Sequence, residues 1–136
     1  MIDANIETLI VGQMARIKKL MTEADVISFA SISEDFNPIH LDRGYAEKSR
    51  YKAQIIHGMM AASLFSGLFG TKLPGQGCVY KSQNLNFRRA IYIGDEVEAN
   101  IEITAVDKER RIAAFKTTCS VRGKFVIDGT AEIFLP

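Results

Sequence analysis

The residues best placed to do chemistry lie in one octapeptide, Ser33-Glu34-Asp35-Phe36-Asn37-Pro38-Ile39-His40. It sets a carboxylate and an imidazole five residues apart, on a stretch whose backbone Asn37 and Pro38 constrain. An Asp and a His that converge on one water form a general acid–base pair, with ordinary pKa values of about 3.9 and 6.5 that burial can move. Spacing alone leaves a plainer reading open, because Asp, Asn and Pro are also ordinary turn residues. The other conspicuous side chains have plain readings too. His57 is expected to hydrogen-bond backbone near a helix start. Met14, Met21, Met59 and Met60 are expected to fill packing gaps. Arg88 and Arg89 read either as a solvated strand end or as two guanidiniums able to grip phosphates. Cys119 alternates with Phe115 and Val121 and reads as core, while Cys78 has no base assigned to it.

Several elements must hold that octapeptide in place. A short opening strand is expected at Gln13 to Lys19. Thr22 then reads as a helix N-cap, with Asp25 three residues on approximating a capping box. The helix carries an apolar stripe of Ala24, Ile27, Phe29 and Ala30 and runs to about Ile32, where the octapeptide stops it. A short helix at Asp42 to Lys48 follows. Ile55 to Phe69 is apolar nearly all round and rich in small residues, which reads as a buried central helix. Leu73-Pro74-Gly75-Gln76-Gly77 ends it. From Cys78 onward the period becomes two: Val97, Ala99, Ile101 and Ile103 alternate with Glu98, Asn100, Glu102 and Thr104. Strands at Val79 to Phe87, about Val97 to Thr104, Ile112 to Arg122 and Lys124 to Leu135 make an antiparallel meander. The expected architecture is α+β, a long sheet wrapped round one helix.

Composition removes whole classes of function. The 136 residues suffice for one domain, 1–136, with a real core. A 47% hydrophobic and 24% charged make-up argues against disorder. Seventeen basic against 16 acidic residues leave a net charge of +1, with no bulk attraction to nucleic acid or an anionic membrane. The Ile55 to Phe69 segment is shorter than the roughly 20 residues a bilayer requires. Met1 to Glu7 has neither the basic flank nor the apolar stretch of a signal peptide. Two cysteines make no disulfide framework, and no C-x-x-C is present to hold zinc. The expectation is a reduced, cytoplasmic protein without a metal site.

The octapeptide does not stand alone. Phe29-Ala30-x-x-Ser33-Glu34-Asp35-Phe36-Asn37-Pro38-Ile39-His40-Leu41-Asp42 is followed by Ile56-His57-Gly58-Met59 and Ala62-Ser63-Leu64-Phe65-Ser66-Gly67-Leu68. Leu73-Pro74-Gly75-x-Gly77, Tyr80, Gln83, Leu85, Phe87 and Gly94-Asp95 continue the series. In this order, over about Val11 to Pro136, the chain resembles the (R)-specific enoyl-CoA hydratases, the hot-dog members of the MaoC-like dehydratase family. Two positions depart from many relatives: Glu34 stands where Gly is common, although the short hydratases also carry Ser-Glu-Asp, and Ala90 stands where Pro is common.

The resemblance implies that Asp35 and His40 hold the water added to a double bond, that the Gly58 amide binds the thioester oxygen, and that Ser66 supports Asp35, with Asn37 shaping the loop. It implies no metal or redox cofactor, with coenzyme A entering only as part of the substrate. Charge develops on the thioester oxygen as water attacks, and a helix N-terminus has unpaired N–H groups to meet it. Arg88 and Arg89 are candidates for the CoA phosphates. A 3-hydroxyacyl-[acyl-carrier-protein] dehydratase using the same site, and a non-catalytic subunit that only binds acyl thioesters, remain as alternatives. Acyl chain length and pathway, whether polyester monomer supply or fatty-acid oxidation, stay open. Unpaired sheet edges imply a homodimer, with sites near the interface and the neighbour's Arg88 or Arg89 within reach.

Overall fold

The computed structural model describes residues 2–136. The four-residue expectation for a capped first helix is met: α1 spans Glu23–Ser33, and Thr22 Oγ1 accepts from the Asp25 amide at 3.1 Å. A Thr22 side-chain hydrogen bond to the carboxylate, ahead of Lys19 at 3.3 Å, holds the Asp25 carboxyl below the usual carboxylate range. The buried stripe of α1 differs from the expected one. Val26 and Ala30 are buried and Phe29 is half-buried, whereas Ala24 and Ile27 face outward. Residues three and four apart share a helix face, so the choice of Val26 as anchor rotates the stripe.

Strand β1 (Met14–Leu20) precedes α1, and two short helices follow it, α2 (Pro38–Leu41) and α3 (Arg43–Lys48). Asn37 caps α2 through its Oδ1 to the Ile39 amide, and Asp42 caps α3 through its Oδ1 to the Tyr45 amide. The sequence gives no periodic signal for α2, which is a single turn begun by an Asn-Pro pair. Helix α4 runs from Gly58 to Thr71.

The sheet follows from period two. Strands β2 (Val79–Gln83), β3 (Asn86–Phe87), β4 (Glu96–Asp107), β5 (Ile112–Val121) and β6 (Lys124–Phe134) pair antiparallel in the order β1-β4-β5-β6-β2, with β3 also on β6. The expected single strand from Val79 to Phe87 is therefore split. A register shift falls between Tyr80 and Ser82, and Asn84 turns its amide to the Thr130 carbonyl at 2.9 Å. The inward residues of β4, Val97, Ala99, Ile101 and Ile103, are wholly buried. They face α4, whose Met60, Ala61, Phe65, Leu68 and Phe69 are buried in turn. Phe69 meets Phe115 edge-on, with ring centroids 4.8 Å apart. Cys119 belongs to this core as expected, and burial pushes its thiol up to about 12.

Helix α4 is covered less completely than its composition suggests. A single sheet layer buries one side, and Met59, Ser63, Ser66 and Gly67 remain exposed along the other. Met21 and Met60 pack in the core as expected, but Met14 and Met59 are exposed, because their positions on β1 and α4 point away from it. Among the described residues no helix is long and apolar enough to cross a membrane.

Candidate active site

The octapeptide is positioned from both ends. Glu34 ends α1 in the left-handed conformation (φ 62°, ψ 18°), which turns the chain sharply out of the helix. Glu tolerates this conformation less well than Gly would. Ser33 Oγ accepts from the Asp35 amide at 3.2 Å, and Asp35 Oδ1 accepts from the Asn37 amide at 3.1 Å. Asn37 thus holds the carboxylate with its backbone and starts α2 with its side chain. Downstream, the Gln54 side-chain amide donates to the His40 carbonyl at 2.7 Å, and the Ile56 amide to the Ile91 carbonyl at 2.8 Å. The segment 54–56 therefore ties α2 to the entry of the sheet.

These restraints bring Asp35 and His40 together. His40 Nδ1 lies 2.7 Å from the Ile55 carbonyl, which can only accept, so Nδ1 carries the hydrogen and Nε2 is left as a lone pair. Nε2 stands 3.8 Å from Asp35 Oδ2. That separation is too long for a direct hydrogen bond and suits two acceptors sharing one water molecule between them. The imidazole is 10% exposed and the carboxylate 48%, so one partner is anchored and the other reaches solvent.

His57 completes the cluster. It is buried, its ring stacks on that of His40 at 3.9 Å, and its Nε2 lies 3.0 Å from the Asp35 carbonyl. The expectation that His57 bonds backbone near a helix start holds; its stack on His40 has no signal in the sequence. Ligand atoms of Asp35, His40 and His57 lie within 4.8 Å of one another. They are poorly disposed as metal ligands, because the Asp35 carbonyl already occupies His57 Nε2.

Gly58 opens α4, so its N–H is one of the helix's unpaired first-turn donors. A Cβ there would come within 2.6 Å of the exposed Phe87 ring, so a side chain at this position would have to displace that ring. Gly58 and His40 share a cleft of about 500 Å³ with Arg50, Tyr51, Phe87, Arg88, Arg89 and Ala90. Arg88 and Arg89 differ within it. Arg88 grips Asp128 through two bonds of 3.0 and 3.2 Å, and this pairing holds the Asp128 carboxyl below its usual range. Arg89 and Arg50 have no acidic partner within 4.0 Å among the described residues. Arg50 and Tyr51 carry no signal in spacing, since only tertiary contacts, among them the Tyr92 hydroxyl donating to the Tyr51 carbonyl at 2.8 Å, bring them to the cleft. Ser66 is not brought to the pair: it is exposed, eight residues and so about 12 Å along α4 from Gly58, and makes no hydrogen bond to Asp35 within the chain.

A six-stranded antiparallel sheet packed on one long helix, with a helix-start glycine and an Asp–His loop at the helix's N-terminus, is a hot-dog domain. The chain belongs to the MaoC-like dehydratase family, whose MaoC-like domain matches residues 10–124. It is 44% identical over 131 residues to the (R)-specific enoyl-CoA hydratase of Aeromonas caviae, covering 96% of this chain and 98% of that one. It is also 44% identical to the 3-hydroxybutyryl-CoA dehydratase of Methylorubrum extorquens, over 96% of this chain and 83% of the relative. The solved structure of an (R)-hydratase from A. caviae involved in PHA biosynthesis superposes with a TM-score of 0.93 at 44% identity, over 96% of this chain and 99% of that one.

Proposed function

We propose that the protein catalyses the reversible syn hydration of a trans-2-enoyl-CoA to the (R)-3-hydroxyacyl-CoA. The observation that carries this reading is the 3.8 Å gap between two acceptors, Asp35 Oδ2 and His40 Nε2, beside a cleft that also holds the free Gly58 amide. Water placed in that gap donates one hydrogen to each acceptor. As Asp35 takes a proton, the water oxygen bonds to C3, the π bond opens toward C2, and the thioester oxygen gains charge beside the Gly58 N–H. The protonated Asp35 carboxyl delivers that proton to C2, while the second water hydrogen stays on the new C3 hydroxyl, oriented by His40 Nε2, so C3–O and C2–H form on the face where the pair lies. Water supplies both added groups, and no oxidant, reductant or metal is needed for the balance. The (R) configuration rests on the likeness to the relatives.

The wider reading follows the same lines. Arg89 and Arg50 are the guanidiniums left for the CoA phosphates, whereas Arg88 is engaged by Asp128. Chain 1–136 acts as one hot-dog domain and as a homodimer. The sheet has open edges at β1 and at β2–β3, the latter flanked by exposed Val79, Tyr80 and Phe87. Light scattering at low micromolar concentration is expected to give about twice 15.1 kDa. Two free cysteines fit a reducing compartment such as the cytoplasm.

Loss of enoyl absorbance from crotonyl-CoA, with chiral analysis of the product, tests the reaction. Formation of (R)-3-hydroxybutyryl-CoA is expected. Binding without turnover would favour the non-catalytic reading, and turnover only of a carrier-protein thioester would favour the carrier-protein dehydratase.

A further inference from the structure

We infer that His57 is a positioning residue for the water-activating pair, setting Asp35 and His40 at once; the inference rests on the hydratase reading above. Its imidazole is 3% exposed and touches both members of the pair, its Nε2 lying 4.0 Å from Asp35 Oδ2 as well as close to the Asp35 carbonyl. The Asp35 carbonyl, 3.0 Å from Nε2, can only accept, so Nε2 carries the hydrogen and donates it. Its ring stacks on that of His40, with centroids 3.9 Å apart and an interplanar angle of 28°. Phe29, 5.0 Å away and tilted by 56°, contributes a further ring contact.

Stability alone gives no reason for an imidazole here. Nδ1 of His57 is buried with no hydrogen-bond partner. A buried acceptor left unfilled is destabilising, and a phenyl ring would fill the same space between Phe29 and His40 without it. What phenylalanine lacks is the Nε2–H bond to Asp35. Because Nε2–H is committed to that carbonyl, His57 has no free base facing Asp35 and does not itself take the proton from water.

Its place in the chain explains the effect. His57 is the N-cap of α4, directly before Gly58. One residue therefore links the loop bearing Asp35, the plane of the His40 ring and the helix end bearing the oxyanion donor. His40 is pinned at Nδ1 by Ile55, but a single hydrogen bond leaves its ring free to tilt; the His57 face limits that tilt. Misplacing reacting groups by 1 Å can cost on the order of 10²-fold in rate.

The test uses the full-length protein and crotonyl-CoA. His57→Phe keeps the ring and loses the donor, and kcat is expected to fall by roughly 10- to 100-fold with KM within about twofold. In an Asp35→Asn background the same change is expected to cost less than about threefold, because His57 acts through Asp35. His57→Gln, whose amide reaches the Nε2 position, is expected to regain part of the lost kcat. Wild-type kcat in folded His57→Phe, or the full loss repeated in the Asp35→Asn background, would overturn the inference. Imidazole ¹⁵N spectra of the unaltered protein give a reading independent of any variant's folding. Nε2–H on His57 and Nδ1–H on His40 are expected, and Nδ1–H on His57 would overturn it. Absence of hydration by the wild type would end the hydratase reading itself, whereas wild-type hydration with an unimpaired His57→Phe ends only this inference.

Discussion

Along β4, Val97, Ala99, Ile101 and Ile103 are fully buried, whereas in the octapeptide every residue from Ser33 to Pro38 is exposed and only His40 is buried. The first region is held by dry contact with α4. The second is held by individual hydrogen bonds, from Asp35 to Ser33, Asn37 to Asp35 and Gln54 to His40, and by one left-handed residue. The difference shows how this fold divides its tasks. A sheet that shields its core from water keeps the N-terminus of α4 in place, and a solvated loop at that end is free to carry groups that must meet water. Substitutions in the two regions should therefore fail differently.

The largest effect belongs to the core. Phe115→Ala removes a fully buried ring from the edge-on contact with Phe69 and is expected to destabilise by about 3–5 kcal/mol. Urea unfolding would show it as a lower midpoint, with the residual folded fraction still active. Asp35→Asn and His40→Gln should do the reverse. Each is expected to lower kcat by at least about 10²-fold, close to 2.7 kcal/mol of transition-state stabilisation, while the Asp35→Asn unfolding midpoint stays near that of the wild type. The double variant should be little slower than the weaker single, since the two act on one water. Near-normal turnover in either folded variant would remove the assignment.

A smaller effect separates the arginines. Arg50→Gln with Arg89→Gln is expected to raise KM for crotonyl-CoA about tenfold, roughly 1.4 kcal/mol, and to leave a crotonyl-pantetheine substrate unaffected. Arg88→Gln should change it by less than about twofold, because that side chain is already committed to Asp128 and the pair is exposed. Equal losses with both substrates would deny these residues a role toward phosphates. The smallest effect is a gain. Glu34→Gly relieves the left-handed conformation and is expected to stabilise by about 1 kcal/mol, seen as a melting temperature a few degrees higher. An unchanged or lower melting temperature would show that loop freedom in the unfolded chain outweighs the relief.

Period two in Val97–Ile103, the Thr22 cap and the Asp35-x-Asn37-Pro38-x-His40 order are properties of neighbouring residues, so the chain by itself determined β4, the start of α1 and the acid–base candidates. Its pattern gave an α+β sheet on one helix, and the order of its motifs carried the resemblance that implied the hot-dog architecture. What lay between distant residues was decided only by tertiary structure. Which side of α1 is buried depended on where Val26 met the core, and the break between β2 and β3 on where Asn84 met β6. Exposure of Met59, Ser63 and Ser66 followed from the sheet covering a single side of α4. The same holds for the site: Asp35 and His40 are legible as candidates, but the 3.8 Å gap, the His57 stack and the separation of a committed Arg88 from a free Arg89 are not. Each depends on groups brought together by folding, from Asp128 across the sheet to His57 beyond the two short helices. A hydrogen-bond partner or a stacked ring leaves no periodic trace along the chain, because it is set by distance in space and not by spacing in sequence.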